Sequence, residues 1–192
     1  MSPTPFSLCV YCGSRAGHDP AYLDAANQLG RTIANEGWRL VYGAGDVGLM
    51  GAAAEAATAA GAPTLGVIPT HLLDAEAPHG VFGDRVVTET MHERKKVMFM
   101  NADAVAVLPG GAGSLDEFFE VLTWAQIGLH EKPIFLLDVN GYWQPLIALI
   151  DHVIAEGFAN DTLRGLFQPV PTVAALAEAV RAARSSASAI HE

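Results

Sequence analysis

Residues 103–126, DAVAVLPGGAGSLDEFFEVLTWAQ, decide how the rest of the chain is read. Ala104–Leu108 is an unbroken apolar run, which fits a strand buried on both faces rather than one side-exposed strand. Gly110, Gly111 and Gly113 interrupt it, more glycine than a simple turn requires. From Ser114 onward the period changes to that of a helix. Leu115, Phe118, Phe119 and Leu122 form an apolar face turned toward the sheet. Glu117, Glu120 and Trp124 share a second face at i, i+3 and i+7. A buried strand, a tight loop and an amphipathic helix make one half of a parallel βαβ unit.

The same alternation extends in both directions. FSLCVYC (6–12), WRLVYGA (38–44), APTLGVIP (62–69), DRVVTET (84–90) and KPIFLLD (132–138) read as strands. Helices are expected over residues 19–37, 48–61, 91–102, 142–157 and 172–183. Asp19 caps the first, Pro20 opens it and Gly37 stops it. Residues 71–83 read as irregular. The expected fold is α/β: a doubly wound, Rossmann-like three-layer domain with a mostly parallel sheet covered by helices on both faces. One domain over residues 1–184 accounts for the pattern, with 185–192 as a flexible tail.

Composition narrows the function. The chain has 192 residues, a formal net charge of -10 and only 11 Lys and Arg. Such a surface disfavours general binding to nucleic acid or an anionic membrane. Cys9 and Cys12 lie inside an apparent strand, not at a helix start, and read as structural thiols in a reducing compartment. Without a basic segment followed by a long apolar one, a cytoplasmic location is expected. His71, His79 and His92 lack the spacing of a metal site, and no metal or other cofactor is expected.

In a doubly wound sheet ligands collect beyond the carboxyl ends of the strands. Four segments fall there: CGSRAG (12–17), YGAGDVGLMG (42–51), the region before MHERKK (91–96), and LPGGAGS (108–114). The last directs a helix N-terminus at its loop and suits a phosphate. No P-loop lysine follows either glycine loop, so a mononucleotide fits better than ATP hydrolysis or a full dinucleotide. Arg94, Lys95 and Lys96 supply positive charge, and Arg94 shares a side with Met91, Val97 and Met98. Glu117 and Glu120, within a turn of the loop, can bind ribose hydroxyls or stabilise positive charge when a glycosidic bond breaks. Asp116 is assigned only the stabilisation of the helix dipole.

With these residues in view, the chain resembles the LOG ("lonely guy") family of cytokinin riboside 5'-monophosphate phosphoribohydrolases. The resemblance is carried by CVYCGSR (9–15), VYGAGDVGLMG (41–51), MHERK (91–95), PGGAGSLDE (109–117) and TWAQIGLHEKPI (123–134). It implies hydrolysis of the N-glycosidic bond of a nucleoside 5'-monophosphate by a homodimer or larger homo-oligomer. It implies catalytic roles for Arg94 and Glu117. Substrate contacts are then expected at Gly13, Ser14, Gly45, Asp46, Met91, Lys95, Gly110, Gly111, Gly113, Ser114 and Glu120. Glu120 is expected to hold Arg94 or a ribose hydroxyl. The second loop departs from the family's GGGSVG, with Ala44 and Asp46 inside it. Members have also been labelled lysine decarboxylases, a chemistry that needs a pyridoxal cofactor on a lysine such as Lys95, Lys96 or Lys132. A nucleotide-binding module without turnover is the alternative reading.

Overall fold

The computed structural model describes residues 5–73 and 82–190; part of the 71–83 segment, including His79, lies outside them. Seven strands form one sheet: β1 (Ser7–Tyr11), β2 (Arg39–Tyr42), β3 (Thr64–Pro69), β4 (Asp84–Thr88), β5 (Ala104–Val107), β6 (Ile134–Leu137) and β7 (Gln168–Val170). Their order is β4-β3-β2-β1-β5-β6-β7, and every pairing is parallel. Helices α1 (Pro20–Asn35), α2 (Gly48–Ala59), α3 (Met91–Met100), α4 (Ala112–Gln126), α5 (Gln144–Ala155) and α6 (Val173–Ile190) fill the outer layers. None of them is long and apolar enough to cross a membrane.

Alternate residues of the strands feed two separate cores, as the pleat requires. Leu8, Val10, Leu40, Tyr42, Ala104 and Ala106 pack with α1, α2 and α6. Cys9, Tyr11, Val41, Val67, Val105 and Val107 pack with α3, α4 and α5. The two cysteines fall in different cores and are free thiols; burial pushes both well above the ordinary thiol range. Helices α1 and α2 approach closely because Gly30 has no side chain: a Cβ there would overlap Ala53 and Ala57 backbone.

Three expectations need adjustment. Strand β7, QPV, is not evident in the sequence because three residues containing a proline present no hydrophobic run. Helix α6 continues through residues 185–190, a stretch read as tail, while 191–192 lie outside the described residues. On α4, Phe118, Val121 and Leu122 are buried, but Phe119 is 38% exposed. The apolar stripe of α4 is thus narrower than its sequence suggests.

Strand order, rather than any local signal, locates the site. The chain runs outward through β2, β3 and β4 on one side of β1, then returns to place β5 on the other. The β1 and β5 loops therefore leave the sheet in opposite directions and open a crevice between them.

Candidate active site

The crevice is a cleft of about 480 Å³, within the range of small-molecule sites. Its wall is drawn from three of the four segments at the carboxyl ends of the strands and from α3, the helix that follows the remaining one. It includes Gly13 and Ser14, Leu49 and Met50, Met91 and Arg94, and the run from Pro109 to Ser114. Asp116, Glu117, Arg15, Tyr22 and Tyr142 complete it.

At its floor lies the start of α4. The N-cap is Gly111, and no side chain caps the helix. The first helical donor is Leu115, to Gly111 O at 3.1 Å, so the amides of Ala112, Gly113 and Ser114 precede the helical ladder. The glycines here have two distinct causes. Gly110 is demanded by packing, since a Cβ would overlap Ser114 Oγ and lie 2.9 Å from Gly13 N. Gly111 and Gly113 have no such cause: a Cβ at either would meet nothing within 4 Å, and neither has a left-handed φ. Nothing within the fold requires glycine at those two positions, whereas a ligand seated on the helix N-terminus would.

The loop is held from both sides. Gly13 N donates to Pro109 O at 3.0 Å, and Tyr142 Oη donates to Gly110 O at 2.6 Å. Tyr142 also meets Tyr22 edge-on, with ring centroids 5.4 Å apart. Because a trans peptide sets its N–H opposite its carbonyl, the tie to Gly110 O fixes where Gly111 N–H points.

Arg94 is 3% exposed. Its Nε donates to Val67 O at 3.1 Å and its Nη2 to Gly43 O at 2.6 Å, so β3 and the end of β2 aim the guanidinium. Gly43 makes this possible, since a Cβ there would overlap Arg94 Nη2. Thr90 and Glu93 start the helix that carries Arg94 with a reciprocal capping box. Glu117 is half-buried on the same wall. Burial raises the Cys12 thiol, the charge of Glu117 raises it further, and Arg94 opposes them. Both groups thus act on one point beneath the cleft.

The remaining carboxylates have another task. Lys95 Nζ lies 2.9 Å from Asp116 Oδ2 and 2.8 Å from Glu120 Oε2. Burial alone would lower the Lys95 ammonium, but its hydrogen bonds to Glu120 and Asp116 hold it above its ordinary value. The triad ties α3 to α4 one residue away from both Arg94 and Glu117. This corrects three expectations. Lys95 and Glu120 are both absent from the cleft wall, Glu120 pairs with Lys95 and not with Arg94, and Asp116 does more than favour the helix dipole. Replacing Lys95 by methionine keeps most of the volume and leaves two acids facing each other. The expected loss is about 1–3 kcal/mol. Thermal denaturation should show it as a fall in Tm of roughly 3–10 °C for a chain of this size. An unchanged Tm would reduce the triad to a surface ion pair.

Gly45 and Asp46 are likewise absent from the cleft wall. Gly45 N donates to Met50 Sδ at 3.1 Å. The charge of Asp46 acts on Tyr42, whose hydroxyl is pushed up to about 12 by burial, opposed by its bond to Phe82 and assisted by Asp46. Gly51 lets the Asp46 backbone sit against α2, since a Cβ there would overlap it. Ala44, where the family's glycine would stand, takes a left-handed φ of 60°, a conformation that costs a non-glycine residue about 1–2 kcal/mol. Arg15 lies within the CGSRAG segment, where the sequence assigns it no role, and Tyr22 and Tyr142 lie outside all four segments; only the strand order brings Tyr142 back to Gly110.

Comparison with known proteins shows the family. Residues 50–180 match the family described as "Possible lysine decarboxylase". The chain is 44% identical over 165 residues to the rice (Oryza sativa subsp. japonica) protein named "Probable cytokinin riboside 5'-monophosphate phosphoribohydrolase LOGL1", covering 86% of this chain and 74% of that one. It is 42% identical over 165 residues to cytokinin riboside 5'-monophosphate phosphoribohydrolase LOG1 of Arabidopsis thaliana, covering 86% and 78%. The chain belongs to the LOG family. Among solved structures, the Moco carrier protein of Chlamydomonas reinhardtii shares the fold, with a TM-score of 0.72 at 23% identity over 95% of this chain and 99% of that one. The LOG motif residues Arg94 and Glu117 both stand on the cleft wall. A decarboxylase lysine does not. Lys95 is bound in its triad, Lys132 Nζ donates to Phe99 O and Ala102 O, and Lys96 faces a separate groove. Among the described residues, no lysine lines the cleft.

Proposed function

We propose that this chain hydrolyses the N-glycosidic bond of cytokinin riboside 5'-monophosphates, and of AMP, to free base and ribose 5-phosphate. The observation that carries this reading is the placement of Glu117 and Arg94 on one cleft wall beside an uncapped helix N-terminus. The phosphate sits on the amides that precede Leu115, with the Ser114 hydroxyl beside them. The ribose then lies over the first turn of α4, within reach of Glu117.

Water adds to C1′ as the bond from C1′ to the base nitrogen breaks. The bonding electron pair leaves with the base, which takes up a proton, and the water gives one up. Positive charge grows at C1′ before the new bond is complete, and the Glu117 carboxylate stabilises it. Arg94 is already aimed by two backbone carbonyls, so it stabilises charge on the departing base with little reorganisation.

Product analysis with isopentenyl-AMP, AMP, adenosine and CMP tests the reading. Free base and ribose 5-phosphate from the first two are expected. Tight nucleotide binding with no base released would leave a nucleotide-binding module instead.

We also propose that the working unit is a cytoplasmic homodimer. A groove of about 410 Å³ runs between α3 and α4, lined by Phe99, Met100, Trp124 and Leu129. Met100 and Leu129 are 67% and 68% exposed, and Ile127 beside them 63%. Such apolar surface is suited to a second copy. Sedimentation at low micromolar concentration should give a dimer or larger species, and a fully active monomer would contradict the proposal.

A further inference from the structure

Two residues that line the cleft carry a permanent cation, Arg15 and Arg94. They differ in every respect that matters for gripping a ligand. Arg94 is buried, and two of its donors are spent on Val67 O and Gly43 O. Arg15 is exposed, and its guanidinium forms no ion pair with any described residue, although the chain has 21 acids. A free arginine that faces a concave wall in so acidic a protein has its donors available for an anion.

The base of its loop is fixed. Gly13 N bonds Pro109 O at 3.0 Å, and Gly13 O accepts from Leu49 N at 3.2 Å. Gly48, with a left-handed φ of 63°, packs so tightly on Ser14 and Arg15 that a Cβ would overlap their backbone. A Cβ at Gly13 would lie 3.3 Å from Gly110 Cα and 3.1 Å from Arg15 O. The Arg15 backbone is therefore set two residues from the contact that Gly13 makes with the α4 loop, and its side chain extends from a rigid base.

We propose that Arg15 grips the substrate's phosphate monoester dianion beside the α4 amides, on the same cleft, and so selects nucleotides over nucleosides. The proposal rests on the hydrolase reading for its substrate, but its binding step does not depend on turnover. Arg15 is a specificity-determining residue: it meets the phosphate, while the bond that breaks lies at the far side of the ribose.

Ribose 5-phosphate carries the same phosphate without a base to release, and it serves as the probe. In calorimetric titration, Arg15→Gln is expected to raise its Kd by about 10–100-fold, and Arg15→Lys to recover part of the loss as a single-point contact. The salt dependence of binding should weaken in parallel. With substrates, Arg15→Gln should lower kcat/KM for AMP by a similar factor and leave adenosine unchanged. Equal Kd in parent and Arg15→Gln overturns the proposal. So does an equal loss for AMP and adenosine, which would make Arg15 a support of the loop. A parent that binds ribose 5-phosphate but releases no base fails the hydrolase reading alone, and the Arg15 comparison still decides this one. A parent that binds no phosphate monoester overturns both.

Discussion

Replacing Glu117 by glutamine is expected to lower kcat for AMP by about 10²–10³, the usual cost of removing a well-placed electrostatic group. The Kd for AMP should stay within a few fold. Glutamine preserves the size and much of the hydrogen-bonding reach and removes only the negative charge. A charge that acts mainly on an oxocarbenium-like state is felt in kcat more than in binding. Asp116→Asn is the comparison. Asp116 is the neighbouring residue, lies on the cleft wall and shares Lys95 with Glu120. Its loss should change turnover only a few fold and register mainly as a modest fall in Tm. If the two variants lose turnover equally, the effect belongs to the charge of the helix start and not to Glu117.

Adenosine is expected to have a kcat/KM lower than that of AMP by about 10²–10⁴. A phosphate on the α4 amides makes several charge-assisted contacts, and the loss of two at about 1.5–3 kcal/mol each accounts for that range. Gly111 and Gly113 motivate the expectation, because neither the backbone conformation nor any neighbour within 4 Å explains them. Steady-state rates for both substrates at one ionic strength decide the matter. Equal values would mean that the loop is a turn and the phosphate is incidental.

What could be read in advance depended on whether the cause was local in the chain. Strands β1, β2, β3, β5 and β6 are buried, and the resulting apolar runs are visible in one dimension. The α4 loop, Arg94 and Glu117 were legible because strand, loop and helix period lie within short stretches. Lys95 was misplaced because its partners sit on another helix, 21 and 25 residues on. Asp46 looked ligand-facing because it is polar and flanked by glycines. Those glycines serve internal packing instead: Gly51 accommodates the Asp46 backbone, and Gly48 accommodates Ser14 and Arg15. Arg15 and Tyr142 gain meaning only from the order of the strands, which sets β1 between β2 and β5.

The two outermost strands bear on colloidal behaviour. An open β-edge offers unpaired amides to any passing chain and is a common start of aggregation. Here one edge, β4, carries exposed Asp84 and Arg85, with Glu89 just beyond. The other, β7, has only three residues, and Pro169 in its middle offers no amide. Both margins are therefore poor templates for strand addition. Self-association of this chain is left to its helical flanks, and fibrillar growth by edge-to-edge stacking is blocked at both ends of the sheet. Pro169→Val, which restores a donor and a β-branched side chain to that margin, would reopen one of them.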